Sequence, residues 1–267
     1  MRRLSLFAFV VLMTTSLLSA GEAVTPASHL VAAWDFEAGK GGPLADKAPA
    51  GGTADALKLL GHAKVEGGVA VIGPREGSAL RAESSADLEQ AGELTIWVRL
   101  RLDRGPEGFV SLVDKRRFRD PEERSYAFFV PPAMGSPKTY TVGGQISLNG
   151  SREASAIYVK GRESIPAGQW CEAAMVVERS PDRYLTMRWY AASAAEPKAA
   201  GDFALVGGPA SNPAVAAIFR SRQPLLVGND AALRPNPSLL ELDEVRIYGR
   251  ALTTEELAAI VPGELSK

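Results

Sequence analysis

Apolar and polar residues alternate with a period of two through most of the chain. In Leu30–Glu37, Leu30, Ala32, Trp34 and Phe36 fall on one face, and Asp35 and Glu37 on the other. Glu93–Leu102 sets Leu94, Ile96, Val98, Leu100 and Leu102 opposite Thr95, Trp97, Arg99 and Arg101. Arg183–Ala191 sets Leu185, Met187 and Trp189 opposite Tyr184, Thr186, Arg188 and Tyr190. This alternation marks strands with one face in a core. Shorter strands are predicted at Leu57–Leu60, Val69–Ile72, Phe109–Val113, Tyr126–Val130, Thr139–Leu148, Ser155–Val159, Cys171–Val177, Leu225–Gly228 and Leu239–Tyr248. Gly, Pro, Asn or Asp punctuate most gaps. So many strands at this spacing predict a sandwich of two antiparallel sheets.

One helix is predicted, near the end of the sequence. Thr253 can cap it, Glu256 can reciprocate three residues later, Leu252 can pack on Leu257, and Pro262-Gly263 stops it. Ala191–Pro213, rich in Ala, Gly and Pro, reads as a long loop, and the mixed-charge run Lys115–Glu123 reads as a solvated loop. The isolated Gly143-Gly144 pair reads as a turn or bulge.

Composition narrows the class. Of 267 residues, 46% are apolar and 23% charged, as in a packed globular protein rather than a disordered one. The 26 Gly and 18 Pro suit many turns. The formal charge of −1 gives no general drive toward nucleic acid or an anionic membrane. Met1-Arg2-Arg3, the largely apolar run Leu4–Leu18 and the small residues Ser19, Ala20 and Ala23 have the three-part layout of a secretory signal peptide. The expected organisation is a signal peptide at 1–23 and a single sandwich domain at 24–267, secreted or periplasmic, without membrane insertion after cleavage. Cys171 is the only cysteine, so no intrachain disulfide forms, and its apolar surroundings read as a buried, inert thiol.

Several motifs carry a family resemblance. They are Leu30–Glu37 followed by Leu44-Ala45-Asp46, Glu93–Val98, Ile165-Pro166-Ala167-Gly168-Gln169-Trp170 leading into Ala174–Val177, Pro224–Gly228, and Leu242-Asp243-Glu244-Val245-Arg246-Ile247-Tyr248-Gly249-Arg250-Ala251-Leu252-Thr253. Their order and spacing resemble laminin-G-like domains of the concanavalin-A-like lectin/glucanase superfamily. The resemblance implies an all-β, two-sheet antiparallel jelly-roll sandwich with a short C-terminal helix and with first and last strands close together. The sequence departs from the pattern at Leu240, at Cys171-Glu172 and at Ala191-Ala192-Ser193. The resemblance also implies core packing for Trp97 and Trp170.

The residues bear on three chemistries. Asp243 shares strand parity with Val245 and Ile247, and Asp35 and Glu37 lie on the non-Trp face of the first strand. If the terminal strands are neighbours, these acids converge as oxygen ligands of a structural Ca²⁺, which the resemblance supports; otherwise Asp243 caps a turn or pairs with Arg246 or Arg250. Glucanases of the superfamily use two carboxylates on one strand, as in Glu-x-Asp-x-Glu. Glu241-Leu242-Asp243-Glu244 begins that way, but Val245 and Arg246 follow. Neither His29 nor His62 lies in a recognisable lyase motif. Arg99 and Arg101 either meet an anionic glycan or form a solvated face. The expectation is a non-catalytic binding module for an extracellular or periplasmic glycan. The alternatives are a polysaccharide-active enzyme, glycosidase or lyase, with an unrecognised site, and an adhesion module for a protein surface.

Overall fold

The computed structural model describes residues 29–37, 44–48, 56–117, 123–133, 136–151, 156–161, 165–193 and 200–264. The expected signal peptide, the turn after Glu37, and Phe118 to Glu122 lie outside the described residues.

The architecture is the predicted one, two antiparallel sheets packed face to face with one short helix. One sheet has the order β15 (Ala204–Ser211), β14 (Leu185–Ser193), β13 (Cys171–Arg179), β6 (Leu94–Leu102), β17 (Leu240–Tyr248), β4 (Val69–Ile72) and β3 (Lys64–Glu66). β1 (Leu30–Trp34) completes it as the eighth strand by pairing with the second half of β17. The other sheet has the order β11 (Ala156–Lys160), β10 (Gly143–Gly150), β8 (Glu123–Val130), β7 (Val110–Arg117), β16 (Leu225–Val227), β5 (Ala79–Ala82) and β2 (Lys58–Leu60). β9 (Thr139–Tyr140) and β12 (Ile165–Pro166) form a two-stranded ribbon. The expected neighbours at the two ends pair, with Trp34 opposite Val245 and, past a register shift between Leu30 and Ala32, Leu30 opposite Tyr248.

The main core lies between the sheets. Trp34, Ile96, Met175 and Trp189 from one sheet meet Leu112, Tyr126, Phe128 and Ile146 from the other. Gly144 belongs to this interface rather than to a turn. A Cβ there would lie 2.3 Å from Met175 Sδ and 2.9 Å from Trp189 Nε1, so only hydrogen fits opposite the indole.

A second apolar cluster covers the outer face of the larger sheet. Trp97, Ala174, Val176 and Tyr248 pack beneath Leu252, Leu257 and Ile260 of α1 (Thr254–Ala258) and its flanks. Trp97 is fully buried, as expected, but on the side of the sheet away from the main core. The helix is capped as the sequence predicts. Thr253 Oγ1 accepts the Glu256 N–H at 3.2 Å and Glu256 Oε2 accepts the Thr253 N–H at 3.0 Å. No helix among the described residues is long and apolar enough to cross a membrane.

Three expectations change. Ala204–Ser211, read as loop, is the edge strand β15, where Gly207, Gly208 and Pro209 are tolerated because one side of the strand needs no partner. Lys115, Arg116 and Arg117, read as solvated loop, end strand β7, and Glu123 opens β8. Lys115 is fully buried, donating to Ser84 Oγ at 2.8 Å and to the Gln223 carbonyl at 2.7 Å. Trp170, expected in the core, is half-buried at the surface, with the Arg101 guanidinium 5.1 Å from its ring centre.

Candidate functional site

A cleft of about 560 Å³ opens on the smaller sheet. Its floor comes from β7, β8 and β10, which supply Ser111, Arg116, Phe129 and Gln145. The segment after β16 supplies a wall with Asn229, Asp230, Arg234 and Asn236, and Gly108-Phe109 closes the other side.

The floor is preorganised. Asp114, adjoining the cleft, is fully buried as a side chain and is clasped by Arg116 from the same strand. Arg116 Nε lies 3.0 Å from each Asp114 carboxylate oxygen, Nη2 adds a further contact, and Ser111 Oγ donates to Asp114 Oδ2 at 3.1 Å. Register shifts between Ser111 and Val113 and between Asp114 and Arg116 bring these side chains to one face despite uneven spacing. Arg116 Nη1 donates to Gln145 Oε1 at 2.7 Å. That bond fixes the Gln145 amide so that its oxygen is used within the floor and its NH₂ remains as donor. Burial lifts the Asp114 carboxyl above its ordinary value; Arg116 works against that lift and the charge of Asp230 adds to it.

The aromatic side is built from two rings. Phe109 is 48% exposed, unusual for a large apolar side chain, and meets Phe129 edge-on with ring centres 5.5 Å apart. Lys160 Nζ lies 5.8 Å from the Phe109 ring centre, and the Arg116 guanidinium lies 5.8 Å from that of Phe129.

The wall is held by asparagines. Asn229 Nδ2 donates to the carbonyls of Ser78 and Arg234, both at 2.9 Å, and Asn236 Nδ2 donates to the Gly228 carbonyl at 2.8 Å. Asp230 Oδ1 accepts the Ala232 N–H at 2.9 Å.

The acids proposed as calcium ligands lie elsewhere, at the joint of β1 and β17. Asp35 and Asp243 share an electrostatic neighbourhood, the charge of Asp35 adding to the burial that raises the Asp243 carboxyl, against the pull of Arg99. Each has a cation of its own: Lys47 Nζ lies 2.5 Å from Asp35 Oδ2, and Arg99 Nη1 lies 2.9 Å from Asp243 Oδ2. Glu37 is the neighbour of Gly68, where a Cβ would lie 2.8 Å from Glu37 Oε1. Among the described residues, no three His, Cys, Asp or Glu side chains are grouped to hold a metal ion. The partner of Asp243 is Arg99, not Arg246 or Arg250, because a register shift between Leu242 and Glu244 breaks the parity with Val245 and Ile247. Arg246 pairs instead with Glu244 at 2.5 Å, both buried, and Arg250 with Glu256 at 2.7 Å. Arg101 is bound by both oxygens of Glu241, so Arg99 and Arg101 form a cross-strand ion-pair ladder rather than a bare cationic face.

Cys171 is buried, and its thiol is pushed up to about 12 chiefly by burial, with Tyr140 Oη 2.9 Å from Sγ. Arg116 is hidden from the sequence reading because Lys115–Glu123 reads as solvent-facing loop. The available signal was Val110-Ser111-Leu112-Val113 continuing directly into Asp114–Arg117 without Gly or Pro.

No protein-family model and no curated protein matches the sequence. Solved structures do match in fold. The binding domain of Paraclostridial Mosquitocidal Protein 1 superposes with a TM-score of 0.59 at 14% identity, over 88% of this chain and 52% of that one. The botulinum neurotoxin serotype G binding domain gives 0.54 at 12% identity, over 86% and 50%. The serotype D ligand binding domain, in complex with N-acetylneuraminic acid, gives 0.55 at 8% identity, over 87% and 50%. The chain thus spans about half the length of the structures it matches, and what it shares with them is a β-sandwich fold.

Proposed function

We propose that the chain is an exported, non-catalytic carbohydrate-binding module of the laminin-G-like, concanavalin-A-like type, with the cleft between Phe109 and Asn229 as its sugar site. One observation carries this reading: an exposed aromatic ring, Phe109, stands beside a fixed polar floor of Arg116 and Gln145 in a cleft of about 560 Å³. An aromatic face packs against sugar C–H groups, fixed polar atoms read hydroxyls, and the volume falls in the range of small-ligand sites. The structural neighbour crystallised with N-acetylneuraminic acid supports a glycan as the partner. The leader-like residues 1–20 support export to a secreted or periplasmic location.

The floor supports the non-catalytic reading. A glycosidase needs two carboxyls with one free to attack or donate. Asp114 spends both oxygens on Arg116. A second reading as an enzyme is favoured only by the electrostatic coupling of Asp114 to Asp230. Product release from an oligosaccharide, abolished by Asp230→Asn, would establish that reading.

The test is a glycan array on residues 24–267, followed by titration calorimetry with the best glycan. Phe109→Ala is expected to weaken binding about tenfold through loss of ring packing. An array without a bound glycan overturns the proposal and leaves a protein surface as partner. Calcium at Asp35, Glu37 and Asp243 is a separate proposal, supported by the closeness of Asp35 to Asp243. A higher melting temperature in Ca²⁺ than in chelator supports it, and an unchanged one removes it.

A further inference from the structure

The side chains of the cleft do not balance donors against acceptors. Gln145 presents its NH₂ because its oxygen is taken by Arg116. Arg234, at the exposed rim, adds a guanidinium group. Among the described residues, the Arg234 guanidinium has no hydrogen-bond or ion-pair partner, whereas its backbone carbonyl is anchored by Asn229. Lys160 brings one more positive charge over the Phe109 ring. Against these stand Asp230, with one oxygen turned to its own loop, and the oxygen of Asn236. Asp114 is neutralised beneath the floor by Arg116.

A neutral sugar's hydroxyls accept hydrogen bonds, but each also brings an O–H donor that this donor-rich cleft is poorly supplied to accept, and none carries a charge to set against the guanidinium. An anionic group, carboxylate or sulfate, offers acceptors alone, and two of its oxygens accept two parallel N–H bonds from a guanidinium. Phe109 then packs against the sugar ring that carries the anion. We infer that the cleft selects an anionic saccharide, and that Arg234 is the residue that reads its charge. The inference rests on the proposed function and deepens it.

The experiment is titration calorimetry of wild type and Arg234→Gln with three oligosaccharides of equal length: a hexuronate, a sulfated sugar with no carboxylate, and an uncharged sugar. Wild type is expected to bind a charged oligosaccharide at least about tenfold more tightly than the uncharged one, with affinity falling as salt rises. Arg234→Gln is expected to remove most of that preference, read as the ratio of charged to uncharged affinity within the variant, with an unchanged melting temperature; the free guanidinium has no structural bond to lose. Preference for the hexuronate identifies a carboxylate as the anion, and preference for the sulfated sugar identifies a sulfate. Equal affinity for all three, or a preference that survives Arg234→Gln, overturns the inference while leaving a sugar site in place. No binding of any of the three overturns the inference, and the glycan array then decides the broader reading separately.

Discussion

Arg116 holds the carboxylate of Asp114 two residues back on the same strand, with both Nε–Oδ separations at 3.0 Å and almost no solvent at either group. A buried pair of this kind adds little net stability when whole, but breaking it strands a charge. Arg116→Met should therefore lower the free energy of unfolding by about 3–5 kcal/mol. Replacing Asp114 by Leu as well should restore much of that loss. Urea denaturation of the two variants checks both statements. A single variant as stable as wild type would show that water already reaches the pair.

Gly144 has no room for a methyl group. Gly144→Ala forces Met175 and the Trp189 indole aside, and is expected to cost about 1–3 kcal/mol. The denaturation midpoint should fall, and the tryptophan emission of the folded state should change because Trp189 moves. A variant of wild-type stability and spectrum would refute the tight approach.

Cys171 should be silent toward thiol reagents in the folded protein. With its thiol pushed up to about 12, it stays protonated at pH 8, and burial denies access. Dithionitrobenzoate is expected to react only after denaturant is added. Between the ordinary thiol value and about 12 the unfolded chain ionises and the folded one does not, so this group's contribution to stability shrinks as pH rises through that window. Rapid labelling without denaturant would contradict the burial.

Glu256 has the opposite sign. Its hydrogen bonds to Arg250, and then to the Thr253 backbone, hold the carboxyl below its ordinary value. The stabilisation is complete above the ordinary glutamate value and is lost as pH falls through the lowered one. Glu256→Gln should cost about 1 kcal/mol at neutral pH and flatten the acid limb of the stability curve. An acid limb identical to wild type would show that the clasp carries no weight.

Much of this was legible in the chain. Leu94–Leu102 and Leu185–Ser193 follow the period-two pattern, and the Thr253–Glu256 capping box is local chemistry that the neighbouring residues settle alone. Parity failed where a strand gains a residue. The shift at Leu242/Glu244 sends Asp243 off the core face, and the shifts around Val113 and Lys115 let Ser111, Asp114 and Arg116 converge. A bulge leaves no periodic trace in one sequence. Charge misled as well. Lys115 and Arg116 are buried because carbonyl, hydroxyl and carboxylate partners come from Ser84, Gln223 and Asp114, distant segments or the same strand across a bulge. Trp97 faces the polar side of its strand yet is covered, because α1 lies over it.

The position of β17 orders events during synthesis. It pairs with β6 along one edge and with β1 and β4 along the other, so a strand made late fills a slot between strands made early. A nascent chain that has not yet extended past residue 240 carries that slot as facing rows of unmatched amides and carbonyls, the kind of edge that recruits other chains. The larger sheet therefore closes only after Tyr248 has left the ribosome, and chains stopped short of it should be the ones that aggregate.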